Sequence, residues 1–437
     1  MLPKHNNTCN EPITWTYLNF NYLTLWWFPF SFFWSVMLVQ GMQVRIEELT
    51  VMGNVGRALA WLHGTGALVS TITQLLIAPI SDNFPTRLGR RRPFVLIGTL
   101  LAFPFVLWFV RTDTFWQLVI SFVLIQFTLN FAAAPFQALI PDLVPLHKHG
   151  IASAYMAAWS LLGNALGIGL SGWMLASVAS ADASVVNARG LATMLFIVHG
   201  ALMVAALVTL LKVREAHSAS RRSISQAMRT AIADLLSKDV WEHRDFLWLF
   251  ISRFFIQMGV YSAIPFFRWY VRDTLGVTDV AMQTAQIGLC AILGGAIAAF
   301  PAGRLADKFS KRLIIYIACS IAAIGGSIFC ITSSVHVVRI AALILGIGYG
   351  AFAAVDWAFV CNLVPRERAA KFMAVFHIAF TLPQVLGAGI GGWVGDWGNA
   401  TWGIGVGWRL VFCMCVIYFI IGAVLIRNVR ELKVSSQ

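Results

Sequence analysis

The chain has 437 residues, of which 59% are hydrophobic and only 12% charged, with a formal net charge of +13 and a mean hydropathy of +0.75. Soluble domains carry about 25% charged residues, so a soluble globular protein is excluded and lipid must be the solvent for most of the sequence. No basic, aromatic-interleaved domain lies outside the apolar runs, which argues against nucleic acid as a partner. The seven scattered cysteines lack metal-ligand spacing, so neither a metal nor a cofactor is expected.

The first apolar run, Tyr22 to Met42, is too long for a signal-peptide core and lacks a basic leader, so it is expected to be retained as a span. Runs long enough to cross about 30 Å of hydrocarbon are predicted near 22–43, 58–80, 93–111, 115–141, 150–179 and 190–211. A polar, basic connector follows at about 212–245, in which Ile224–Leu236 has the spacing of a helix lying on the membrane surface. A second set is predicted near 246–270, 280–303, 312–332, 336–362, 369–395 and 406–427. The expected fold is all-α and membrane-embedded, with twelve transmembrane helices in two pseudo-symmetric six-helix bundles. The bundles occupy 1–211 and 246–437, joined by a cytoplasmic linker at 212–245.

The two halves repeat one another. Laying residues 130–173 over 350–393 without a gap gives 13 identities in 44 positions, including Leu143-Val144-Pro145 on Leu363-Val364-Pro365 and Gly167, Gly169, Gly172 and Trp173 on Gly387, Gly389, Gly392 and Trp393. Half-length repetition in so apolar a chain is the mark of a carrier built around a midplane site. The Gly-x-Gly-x-x-Gly spelling of both copies matches a dinucleotide fingerprint, but no strand precedes either one. Small residues at this spacing instead let membrane helices approach closely.

Orientation follows from the cations. Of the 32 Lys and Arg, 23 fall in the even-numbered junctions or at the two ends, so both termini and those loops are expected in the cytoplasm. A compact multi-pass chain of this kind suits a bacterial inner membrane, as a monomer.

Between spans two and three the chain reads Ser81-Asp82-Asn-Phe-Pro-Thr-Arg87-Leu-Gly89-Arg90-Arg91-Arg92-Pro93-Phe94. The equivalent place in the second half reads Gly303-Arg-Leu-Ala-Asp307-Lys308-Phe-Ser-Lys311-Arg312. A carboxylate at a helix end followed by a tight basic turn can pair with Arg and hold the loop at the headgroups. Asp82, Arg87, Gly89, Arg90, Arg91, Asp307, Lys308, Lys311 and Arg312 are therefore candidates for a conformational latch; the plainer reading is ordinary positive-inside charge.

These paired motifs resemble the signature of the major facilitator superfamily. Arg87–Phe94, and Ala134-Pro135-Phe-Gln-Ala-Leu-Ile-Pro-Asp142-Leu, resemble the branch of plant sucrose transporters and their sugar:cation symporter relatives (glycoside-pentoside-hexuronide-like). The resemblance implies transport by alternating access, with a proton as coupling ion. The chain departs from that branch at two places: Gln126 stands where the relatives carry an Asp implicated in proton coupling, and Gln137 where they carry Arg. Asn130 matches an amide found there.

Asp356 is the one acid expected well inside a span, roughly 10 Å from the cytoplasmic end of span ten. An ionised group at that depth costs about 2.5–3.5 kcal/mol, so it should face the cavity, neutralise itself or pair with a cation. Its counterpart in the first half is Phe136. Asp356 and His63 are the candidate proton-coupling residues, with a structural ion pair as the alternative for Asp356. Gln126, Asn130, Gln137, Trp357 and Gln384 are the candidate substrate contacts, within a wider set of amides (Gln74, Gln257, Gln283, Gln286) expected to line the interior and suited to hydroxyl-rich solutes. Trp34 and Trp159 are further candidates to stack on a sugar. Arg45, Glu47 and Glu48 read as interfacial charges or an outer gate, and Arg253 and Arg268 as snorkelling cations. The function expected is secondary transport of a small solute, a sugar or glycoside with a proton. The alternatives are an exporter of amphipathic compounds, an organic-acid carrier, or a non-transporting receptor or assembly factor. No enzymatic motif is present.

Overall fold

The computed structural model describes residues 16–50, 53–82, 86, 88–145, 148–176, 183–215, 242–363 and 369–430. All regular structure among them is helical. Span 1 runs Tyr17–Leu49, span 2 Val55–Asp82, span 3 Arg92–Phe109, span 4 Phe115–Leu143, span 5 His149–Ala176 and span 6 Ala183–Lys212. Span 7 runs Arg244–Thr274, span 8 Val280–Lys308, span 9 Lys311–Ile331, span 10 Val335–Leu363, span 11 Ala369–Trp402 and span 12 Val406–Ile426. Hydrocarbon offers no partner for a backbone N–H or C=O, so each apolar run closes its hydrogen bonds within itself.

The predicted spans are all present, most with ends within a few residues of expectation. Span 11 differs in a way that matters: it reaches Trp402 rather than 395, which brings Asp396 inside a helix. Among the described residues, eleven helices are long and apolar enough to cross a bilayer. In span 2, His63 and Thr73 are buried and Gln74 half-buried, so these polar side chains turn inward rather than to lipid.

Helix starts carry their own signals. Thr114, Asp279 and Ser310 each accept a hydrogen bond from the backbone N–H three residues on, at the starts of spans 4, 8 and 9, filling donors that a first turn leaves open. Spans 1 and 7 are interrupted. Span 1 carries a π-turn at Met37–Gly41. Span 7 carries a 3-10 turn at Ile264–Phe266, beside Pro265, and a π-turn at Tyr270–Thr274. Such irregular turns cluster at functional sites.

In the first half, span 4 packs on spans 2 and 3, span 5 on span 1, and span 6 on spans 1 and 3. In the second half, span 10 packs on spans 8 and 9, span 7 on spans 11 and 12, and span 12 on spans 9 and 11. Spans 3 and 9 turn large apolar side chains outward (Leu100, Leu101 and Phe103; Leu313, Ile317 and Ile324), as a lipid-facing surface requires. The halves meet where span 2 lies on span 11 and span 5 on span 8.

The repeated glycines do equivalent work. A Cβ on Gly167 would lie 2.8 Å from Phe32 O of span 1, and one on Gly387 3.1 Å from Ser262 N of span 7, so both hold a close approach within a half. A Cβ on Gly172 would lie 2.2 Å from the Ala285 Cβ of span 8, and one on Gly392 2.2 Å from Gly56 O of span 2, so both hold the contact between halves.

Candidate functional site

Each half holds a polar cluster, and span 2 of the first half packs against span 11 of the second. In the first half, Gln74 Nε2 donates to Asn130 Oδ1 (2.8 Å), and Asn130 Nδ2 donates to Gln126 Oε1 (2.9 Å) and Gln126 O (2.8 Å). Gly66 permits this: a Cβ there would lie 2.3 Å from the Phe122 ring and 3.1 Å from Gln126 Nε2, so only a bare backbone lets span 2 approach span 4. Asn130 and Gln126 follow one another by one helical turn and share a face.

In the second half, Arg253 of span 7 pairs with Asp356 of span 10, both buried. The guanidinium lies 4.1 Å from the Phe376 ring centroid and 5.9 Å from that of Phe380, both on span 11, a cation–π arrangement that strengthens away from water. Around the pair stand neutral groups. Tyr349 Oη donates to Gln257 Oε1 (3.3 Å), and Gln384 Nε2 lies 3.5 Å from Tyr261 Oη. Gln74, Tyr261, Tyr349 and Gln384 are half-buried. His377, two turns from Gln384 on the same face of span 11, is exposed.

His63 joins the clusters. Its Nδ1 lies 3.3 Å from Gln384 O, and its ring centroid 6.4 Å from that of Tyr261. It is buried at the contact of span 2 with span 11.

The face away from the basic loops is closed by polar bonds between the halves. Asp396 Oδ1 accepts from Gly56 N (2.9 Å) and Oδ2 from Arg57 N (2.8 Å), so a buried carboxylate of span 11 caps the first turn of span 2. Glu47 accepts from Trp269 Nε1 (2.7 Å) and Arg272 Nη1 (2.9 Å). Gln40 Nε2 donates to Ala281 O (3.0 Å) and Gln43 Nε2 to Pro265 O (2.8 Å), while Arg268 donates to Gln40 Oε1. These bonds use the irregular turns of spans 1 and 7.

At the opposite face the basic turn after span 2 is held within its own half. The Glu215 carboxylate accepts from the backbone N–H of Arg90 (2.9 Å), Arg91 (3.0 Å) and Arg92 (2.9 Å), at the start of span 3. Asp142 pairs with Arg90 and, at 2.6 Å, with Arg91. Gly89 has φ +104°, which a side chain would strain, and a Cβ would lie 2.9 Å from Glu215 Oε1. In the second half Arg312 Nη1 reaches Arg427 O (3.3 Å) at the end of span 12, as Arg92 Nη1 reaches Leu210 O (2.8 Å) at the end of span 6. Lys308 is exposed and Lys311 half-buried.

Several expectations change. Arg253 and Arg268 do not snorkel: both are buried and paired, because their carboxylate and amide partners lie on other spans. Glu47 is a bridge between halves rather than an ordinary interfacial charge. Asp396, not singled out from the sequence, is a second buried acid. Asp356 meets a cation, one of the three outcomes its depth required. Gln283 and Gln286 accept from Arg339 rather than lining the midplane. Gln137 is exposed, near the end of span 4 toward the basic face. Trp159 Nε1 donates to Asn21 Oδ1 (3.2 Å), and Trp34 packs edge-on against Phe122. The side chains of Asp82, Asp307 and Trp357, the whole of Arg87 and the segment 224–236 lie outside the described residues.

The family model of the Major Facilitator Superfamily matches residues 20–387 and again 249–436. The chain belongs to that superfamily, and its apolar helices make it an integral, multi-pass membrane protein. Among curated proteins it is 26% identical over 281 residues to the multidrug resistance protein MdtG of Enterobacter lignolyticus, covering 64% of this chain and 62% of that one. It is 25% identical over 194 residues to the quinolone resistance protein NorA of Staphylococcus aureus, covering 43% and 46%. The chain thus spans about three fifths or less of the lengths of these relatives. Among solved structures it resembles a bacterial homologue of the human lysosomal transporter Spinster in an inward-facing, occupied conformation, with TM-score 0.73, 16% identity and coverage of 93% and 95%. It also resembles a D-xylose–proton symporter, with TM-score 0.71, 16% identity and coverage of 93% and 97%.

Proposed function

We propose that this member of the superfamily carries a neutral, hydroxyl-rich solute, a sugar or glycoside, together with a proton, by rocking its two halves about a midplane site. The observation that carries this reading is the chemistry at mid-depth. Gln74, Gln126 and Asn130 of one half and Gln257, Tyr261, Tyr349 and Gln384 of the other are neutral hydrogen-bonding groups, and the charges beside the second set, Arg253 and Asp356, cancel one another. Amides and phenols supply donors and acceptors together, as a hydroxyl needs, whereas an ionic solute would call for an uncompensated charge. The solved neighbour named for D-xylose–proton symport, and the sugar-carrier resemblance of Arg87–Phe94, support the same substrate class. Asp356 and His63 are the groups we assign to proton coupling, in place of the acid that Gln126 replaces.

By the positive-inside argument the basic face is cytoplasmic. The bonds of Asp396, Glu47, Gln40 and Gln43 then close the outer side, and the solute site communicates with the cytoplasm. Asp82, Arg87, Asp307 and Lys308 belong to the latch of the opposite state.

A second reading, export of amphipathic compounds, is favoured by the curated relatives named for multidrug and quinolone resistance. Counterflow in proteoliposomes separates the two. The purified protein should exchange a labelled mono- or disaccharide saturably, faster under an imposed pH gradient, and leave lipophilic cations unmoved. Transport of the cations with no sugar exchange would overturn the sugar reading.

A further inference from the structure

A cavity of about 230 Å³ lies at the basic face of the first half, away from the polar clusters of the midplane. It is bounded by Asn19 and Tyr22 at the start of span 1, Leu143 at the end of span 4, and Lys212, Val213 and Arg214 at the end of span 6. Its charge is unbalanced. The two neighbouring acids are already engaged: Asp142 by Arg90 and Arg91, and Glu215 by the backbone of Arg90–Arg92 and the Arg92 side chain. Lys212 and Arg214 have no acidic partner among the described residues, and both are exposed. Leu18 and Leu211, each next in sequence to a lining residue, are 61% and 67% exposed. An amphiphile placed here would set its anionic end between the two cations and lay its chains over the leucines. The volume is below the roughly 300 Å³ at which pockets for drug-sized ligands begin. It is several times the roughly 30 Å³ of a water, which suits a single compact anionic group.

We infer that this cavity is a binding site for a phosphate diester or monoester, and that the exposed leucines favour the headgroup of an anionic phospholipid as its source. Basic pockets between membrane helices on the cytoplasmic side take such headgroups. The site is separate from solute transport, and its test does not depend on the substrate.

The test is native mass spectrometry of the full-length protein in neutral detergent, titrated with dioleoylphosphatidylglycerol, dioleoylphosphatidylcholine or inorganic phosphate. Protection of Lys212 from amine labelling provides the second readout. Phosphatidylglycerol should bind and protect, and phosphatidylcholine should not. Removing both charges in Lys212→Gln/Arg214→Gln should weaken phosphatidylglycerol binding about thirtyfold. Lys212→Arg/Arg214→Lys, which keeps the charge and guards against misfolding, should retain it. Protection by inorganic phosphate equal to that by phosphatidylglycerol would keep the site and assign it to a soluble phosphate. Equal binding of the two lipids, or unchanged binding in the double Gln variant, would overturn the inference.

Discussion

Arg253 and Asp356 are the residues whose depth makes them most expensive and most informative. Arg253 Nε and Asp356 Oδ1 have no hydrogen-bond partner among the described residues, so the pair is held by one strong contact and the Phe376 ring. Removing one partner strands the other. Asp356→Ala should lower stability by about 3–5 kcal/mol, read as a large fall in the thermal unfolding midpoint in detergent. Arg253→Met/Asp356→Leu should recover most of that loss, because no charge is left unpaired. Coupling is a separate question. Asp356→Asn should keep sugar exchange yet lose its stimulation by a pH gradient; undiminished stimulation would remove Asp356 from the coupling role. The sequence exposes a lone acid in an apolar run readily, since such a group is costly wherever it points. Its partner is 103 positions away, and no local pattern carries that distance.

Helix ends decide which state the molecule adopts. The closed face rests on a carboxylate of span 11 capping span 2, and on glycines that let the two backbones touch. At about 1.5 kcal/mol for each charge-assisted bond, the two bonds of Asp396 favour the closed state roughly 100-fold. Asp396→Ala should therefore shift the population toward the outward-open form, seen as a longer distance between spin labels on Asn54→Cys and Thr401→Cys, both exposed positions. Gly392→Ala should do the same by steric means. Gly346→Ala is the contrast: its Cβ would lie 2.0 Å from Ala291 O, a contact of spans 8 and 10 within one half. That variant should lose thermal stability and leave the label distance unchanged. A distance that lengthens equally in all three variants would show that the labels report unfolding rather than gating. Asp396 escaped the sequence reading because span 11 runs past 395, and apolar runs define their ends only loosely.

At the scale of the molecule, each half buries most of its contacts within itself, and the halves meet at spans 2 with 11, 5 with 8, and the outer ends of 1 with 7. We propose that the segment between them serves as a tether. Residues 1–225 and 226–437, co-expressed as separate chains, should then assemble and restore at least half of the transport of the intact protein, while neither alone transports. Loss of transport despite assembly would give the linker a direct role in the cycle.

The number of spans, the half-length repeat and the class of fold were all legible in the sequence, because the bilayer demands long apolar helices and duplication leaves matching residues behind. Gln126 and Asn130 were legible as candidate substrate contacts, and the hydrogen bond between them follows from standing one helical turn apart. What the tertiary structure alone decided is which polar groups meet across spans: Asp356 with Arg253, Asp396 with the start of span 2, Glu47 with Arg272, and Glu215 with the basic turn. Those contacts depend on how helices rotate and cross. That is set by glycine contacts and side-chain packing among segments far apart in the chain, and hydropathy is blind to it.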